Sequence, residues 1–209
     1  MLNGSPVSKL EIDISQVNEL KDASALAVKY NIPALVVHPN LINQAIILRG
    51  KQQGKYKIIT QIDWPNGNNH CLNKFRGVPV DGMDSDGYEI AINNATTNID
   101  LINMSEFIIN KIDKLYEIRY VVLTNDFSSM RSLFSGVYTP NFIRNCIDNK
   151  IKNNKYNDFF NSNAGTFKIK VSGNINDVKS IIETKADRYA VNLHQAKTII
   201  NEFNLLSEK

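Results

Sequence analysis

The sequence predicts an α/β protein, a compact (β/α)8 TIM barrel, on three observations. Short apolar strands alternate with amphipathic helices along the whole of the 209 residues. Inside the strands, apolar and polar residues alternate with period two, so one phase can pack on helices while the other faces an enclosed centre. No repeat of 20–50 residues and no Pro/Ser-rich linker breaks the chain, which argues for one domain over residues 1–209. A doubly wound open sheet is the competing arrangement from pattern alone.

The elements follow in order. Residues 10–15 (LEIDIS) read as a first strand and residues 17–30 as a helix. ALVVHP, from Ala34, is a second strand ended by Pro39, and LINQAIILR a helix. YKIITQID is the third strand, closed by a Trp64-Pro65-Asn66-Gly67 turn. Residues 70–85 hold Gly77, Pro79 and Gly82 and carry little helix signal. GYEIAIN, from Gly87, is the fourth strand, residues 99–115 a long helix, and EIRYVVLT the fifth strand. Thr139-Pro140 then opens a helix, with Thr as N-cap and Pro at its first position, running through FIRNCIDNKI. NDFFN supplies a sixth strand. Only residues 162–166 separate it from the seventh, in TFKIKVSGNIND, so that crossover is shortened. NDVKSIIETK is a helix, ADRYAV the eighth strand and LHQAKTIINEFNLL the closing helix.

Composition narrows the function. Hydrophobic residues make up 43% and charged residues 22%, enough for a real core. A net charge of +3, from 24 basic and 21 acidic residues, gives no basic face for nucleic acid or a membrane surface. No run of eighteen apolar residues and no secretory h-region occurs, so a cytoplasmic protein is expected. Cys71 and Cys146 stand apart, and His38, His70 and His194 match no metal spacing; no metal and no cofactor is expected. The 28 Asn, scattered among periodic segments, read as the coding bias of an AT-rich genome.

The period-two phases sort the strand residues. The outward sets are Leu10, Ile12 and Ile14; Leu35 and Val37; Tyr88, Ile90 and Ile92; Phe167, Ile169 and Val171. The opposite phase gives Asp13, Ser15, His38, Glu89, Asn93, Arg119, Asn161, Lys168 and Lys170. Buried ionisable groups are costly unless paired, so charges of both signs at a barrel axis point to a site.

At this point the motifs resemble those of the deoxyribose-phosphate aldolase family, class I aldolases on a (β/α)8 barrel. The similarity runs colinearly from about Ile12 to Leu205. IDIS is similar to the family's first-strand IDHT, ALVVHPNLINQA to AVCVNPxxVxxA, and KIITQIDWPNG to KIATVVGFPxG. SDGYEIAIN, YTPNFIRNCI, DFFNSNAG, KIKVSGNIND and ADRYAV are similar to ADEIDMVIN, LTDEEIIKAC, DFVKTSTG, VGVKAAGGIRT and ADRIGT.

The resemblance implies reversible cleavage of 2-deoxyribose 5-phosphate to glyceraldehyde 3-phosphate and acetaldehyde. A sixth-strand lysine would form a Schiff base, and a seventh-strand lysine would keep it deprotonated. An acid on the fourth strand would shuttle protons, and Gly-rich turns would hold the phosphate. Carried over by motif, the catalytic set is Lys170, Glu89, Asn161, Arg119 and Asp13. The phosphate set is Ser172, Gly173 and Asn174, with Lys168 beside them on the same strand. The Schiff-base lysine falls on Asn161, whose amide cannot form an iminium; Lys170 matches the helper lysine. Ala190-Val191-Asn192-Leu193 replaces the Gly-Thr-Ser-Ser after the eighth strand.

Two readings follow. In one, the chain is a degenerate barrel that binds a small phosphorylated or anionic ligand, or serves only as a structural or interaction protein. In the other, it is an active aldolase in which Lys170 has become the nucleophile, projecting from the C-terminal end of its strand among Lys168, Arg119 and Asn161, with Glu89 as proton shuttle. The partners implied are a small phosphorylated sugar or aldehyde, and both readings admit a homo-oligomer.

Overall fold

The computed structural model describes residues 5–64, 67, 69, 73–74, 85–93, 95–111, 117–122, 142–147, 168–173, 175, 177–184 and 186–207. Eight parallel strands close into a barrel in sequence order, each bonded to the next and the last to the first. They are β1 (Leu10–Ile14), β2 (Ala34–Val37), β3 (Lys57–Ile62), β4 (Gly87–Ile92), β5 (Glu117–Val122), β6 (Phe142–Ile147), β7 (Lys168–Gly173) and β8 (Arg188–Asn192). The described α-helices are α1 (Leu20–Tyr30), α2 (Ile42–Lys51), α3 (Asn98–Lys111), α4 (Val178–Thr184) and α5 (Leu193–Ser207). No described helix is long and apolar enough to cross a membrane.

The period-two phases explain the closure. Leu10, Ile12, Ile14, Leu35, Val37, Ile58, Val171, Tyr189 and Val191 turn outward into one buried layer shared with Leu20, Ala23, Ala45, Ala196 and Ile199 from the helices. Between them these residues remove almost all their surface from water, at roughly 25 cal/mol per Å2 of apolar area. Inside the barrel the apolar filling is thin: Ala34, Val36 and Ile59 form a separate small cluster. Among the described residues, buried Ala91, Val121 and Ala190 share the inward phase with the charged side chains.

Local chemistry fixes the helix ends. Asn31, in the left-handed conformation at φ 54°, caps the C-terminus of α1, where asparagine tolerates that geometry better than most residues. Before α3, the Asp100 backbone N–H donates to Thr97 Oγ1 while the Thr97 N–H donates to Asp100 Oδ2, a reciprocal capping box. Asn192 and Gln195 repeat the arrangement at 2.8 and 3.0 Å and turn β8 into α5.

Seven strands coincide with the expected ones to within two residues, and the barrel is the expected fold. The sixth does not coincide. Phe142–Ile147, expected to be helical, is the strand between β5 and β7, with Ile143 in register with Tyr120 on one side and Ile169 on the other. Its six residues carry Phe, Ile, Cys and Ile, which suit a strand as well as a helix, and a run this short does not separate the two periods. The connection to β7 therefore spans residues 148–167 instead of residues 162–166. Thr139-Pro140, NDFFN with Asn161, and most of residues 70–85 lie outside the described residues.

Candidate functional site

The barrel axis is occupied by a network of ion pairs contributed by five strands. Glu11 from β1, Glu89 from β4, Arg119 from β5 and Lys170 from β7 are each at most 2% exposed. Lys170 Nζ lies 2.7 Å from Glu11 Oε2 and 2.7 Å from Glu89 Oε2. Arg119 reaches Glu11 Oε2 at 2.5 Å and Glu117 Oε1 at 2.6 Å, and passes 3.8 Å from Glu89. Lys57, at the first position of β3, closes on Glu117 Oε2 at 2.5 Å.

Strand register explains the assembly. Glu89 pairs directly with Arg119 across β4 and β5, and Lys170 pairs with Arg188 across β7 and β8. Two residues along a strand return a side chain to the same face, so Glu117 stands below Arg119 and Lys168 below Lys170. Glu11, Glu89 and Glu117 meet the buried Arg119 and Lys170, with the exposed Lys57 and the half-buried Arg188 at the edge, so each of these buried charges has an opposite partner.

The electrostatics follow from the geometry. Burial pushes the Glu11 carboxyl up, but Arg119 and Lys170 beside it outweigh burial and hold it below the usual carboxylate range. Burial would pull the Arg119 guanidinium down, yet Glu11, Glu117 and Glu89 outweigh that and raise it above its ordinary value. Lys170 Nζ thus lies against two carboxylates, with no exposed surface of its own.

The expected site residues are only partly brought together. Lys170, Glu89 and Arg119 converge as expected, but Lys170 occupies the third of six positions in β7 and does not project from its C-terminal end. Its contacts are carboxylates, where the active reading placed Lys168, Arg119 and Asn161 around it. Asp13 is half-buried on the same phase as Glu11, nearer the C-terminal end. Ser172 is buried and Gly173 ends β7. Lys168 is exposed at the first position of β7, roughly 13 Å along the strand from Ser172 at 3.3 Å per residue, so it stands at the other end of the barrel from the expected phosphate turn. Asn161 and Asn174 lie outside the described residues.

Five charged residues were missed, Lys57 at the first position of β3 among them. Glu11 and Glu117 share the inward phase with Asp13 and Arg119, and the alternation alone would have found both. Arg188, 3.6 Å from Glu11 Oε1, shares it with Ala190 and Asn192. Lys74 gave no signal, because it lies in no periodic segment of the sequence. It is 5% exposed, and its Nζ donates to Asp63 Oδ2 at 2.5 Å and to the carbonyls of Gly67 and Ala91 at 2.8 and 2.9 Å. Gly67 is required there: its φ is +62°, and a Cβ would stand 3.0 Å from the Ala91 carbonyl carbon. Lys74 so fastens the segment after β3 across the C-terminal end of β4.

No family model and no curated protein matches the sequence. Solved structures do match over nearly the whole chain. QR15, an aldolase, is 18% identical with a TM-score of 0.72, covering 100% of this chain and 99% of its own. The deoxyribose-phosphate aldolase of Aeropyrum pernix is 12% identical with a TM-score of 0.75, covering 97% and 94%. A deoxyribose-phosphate aldolase assignment from Coccidioides immitis is 13% identical with a TM-score of 0.71, covering 96% and 87%. The chain therefore has the fold of the deoxyribose-phosphate aldolases, in agreement with the motif resemblance.

Proposed function

We propose that this chain is a deoxyribose-phosphate-aldolase-like barrel that has lost Schiff-base chemistry and keeps the capacity to hold a small phosphorylated or anionic ligand. One observation carries the reading: the Nζ of Lys170, the axial lysine that the motifs match to the family's helper, is fully buried between Glu11 and Glu89 at 2.7 Å from each. Attack on a carbonyl needs an unprotonated amine with room for the substrate beside it. An ammonium donating to two carboxylates has neither a lone pair nor space. Asn161, matched by motif to the sixth-strand nucleophile, lies outside the observed sixth strand Phe142–Ile147, and that strand contains no lysine to take its place.

The same contacts give the charges another task. Each sits on a different strand, so the network ties β1, β4, β5 and β7 together at the axis, where apolar filling is thin. Ser172 and Gly173, at the C-terminal end of β7, support retained binding of a phosphorylated ligand at that end. The Aeropyrum pernix structure is described as tetrameric, and a homo-oligomer in the cytoplasm is the proposed state of this chain.

The direct test is acetaldehyde release from 2-deoxyribose 5-phosphate, followed with a coupled reductase. The expected result is no release above the protein-free rate. Release that disappears in Lys170→Met while the fold is retained would restore the aldolase reading.

A further inference from the structure

The N-terminal end of the barrel, opposite the end where this fold places its active sites, holds a cavity of about 190 Å3. Its charged lining among the described residues is Lys57, Arg119, Lys168 and Arg188 against Glu11 and Glu117, with Pro33 as an apolar wall. Cations exceed carboxylates by two in that lining. At ~30 Å3 per water in the liquid, the space corresponds to about six waters, enough for a small polyatomic anion.

One atom in the lining narrows the choice. Glu11 Oε2 accepts from both Arg119 and Lys170, whereas Glu11 Oε1 is buried and accepts no hydrogen bond from any described residue. Arg188 Nε, on a side chain 29% exposed at the rim, lies 3.6 Å from it, beyond hydrogen-bond reach. A buried carboxylate oxygen without a donor is costly. Arg188 and Lys168 offer N–H donors to an anion from the rim, and the orphaned oxygen calls for a proton donor at the same place.

We propose that this cavity is a binding site for a tetrahedral oxyanion that still carries an O–H group, hydrogenphosphate being the simplest. Its O–H donates to Glu11 Oε1, and its remaining oxygens accept from Arg188 and Lys168, the guanidinium being shaped for that contact. Sulfate has the same shape but no proton at neutral pH, so it sets an oxygen lone pair against the Glu11 oxygen. The site discriminates by that proton and not by charge. It lies at the opposite end of the barrel from Ser172 and Gly173 and does not depend on the loss of Schiff-base chemistry.

The test is calorimetric titration of the full chain with sodium phosphate and with sodium sulfate, at pH 7 and matched ionic strength. Phosphate is expected to saturate at one per chain, with sulfate at least about tenfold weaker, the worth of one charge-assisted hydrogen bond. Lys168→Gln and Arg188→Gln, both changes at the rim, are each expected to weaken phosphate about tenfold with an unchanged circular-dichroism spectrum. Equal affinity for the two anions, binding of neither, or undiminished phosphate affinity in Lys168→Gln overturns the proposal. The wild-type comparison decides the matter even where Arg188→Gln fails to fold.

Discussion

At the scale of the residue, the barrel rests on charges that cannot be removed one at a time. Lys170→Met leaves Glu11 and Glu89 facing each other without their shared ammonium, and breaking a buried pair in this way costs about 3–5 kcal/mol. Urea denaturation of the variant against wild type should show a loss of that size; a loss under 1 kcal/mol would mean that water reaches the axis. The same network sets a pH dependence. Glu11 has its carboxyl held below its ordinary value of 4.5 in the folded state. Its contribution is thus fully present above that value and is lost as pH falls through the lower folded one. Stability measured between pH 6 and pH 3 should fall below about pH 4.5 in wild type, and Glu11→Gln should lack that component of the slope. Arg119, raised by its three carboxylates, stays charged across this range and adds nothing to the slope.

At the scale of the element, strand packing makes one glycine irreplaceable. Gly87 opens β4 opposite Glu117, and a Cβ there would run into the Glu117 carbonyl oxygen and stand 2.8 Å from its Cβ. Both contacts are close to the backbone and cannot swing away, so Gly87→Ala should fold but lose about 1–3 kcal/mol, read as a lowered denaturant midpoint. A midpoint unchanged from wild type would contradict the β4–β5 register. Most elements were legible because their periods were clean: LEIDIS, ALVV and GYEIAI place every apolar residue on one phase or bury both faces. Phe142–Ile147 was not, since six residues of Phe, Ile, Arg, Asn, Cys and Ile fit either period and the Thr-Pro before them suggested a helix start. The site was half legible for a related reason. Alternation shows that Glu89, Arg119 and Lys170 face inward, but not which partner each will meet across the barrel. Lys170 was expected among lysine, arginine and amide neighbours; Arg119 is there, and closure of the barrel brings β1 against β8 and adds Glu11, which both cations share. Lys74 lies in no periodic segment at all, and its role appears only once Asp63 and Ala91 are placed.

At the scale of the whole molecule, the two ends of the barrel differ in kind, with the paired charges of Glu11, Glu89, Arg119 and Lys170 between them. The C-terminal end carries Asp13, Ser172 and the Lys74 fastening, the N-terminal end the cationic cavity around Glu11. Structural neighbours place the chain in the fold of deoxyribose-phosphate aldolases at 12–18% identity, a level at which fold is shared and chemistry has to be read from the site. That site holds its axial lysine as an ion-pair partner. The central claim, that Lys170 is structural and forms no imine, is tested most directly by borohydride reduction in the presence of acetaldehyde, read by intact mass and peptide mapping. The account predicts unmodified Lys170 in the native protein, with labelling there only after denaturation. A reduced adduct mapped to Lys170 in the folded chain would contradict it.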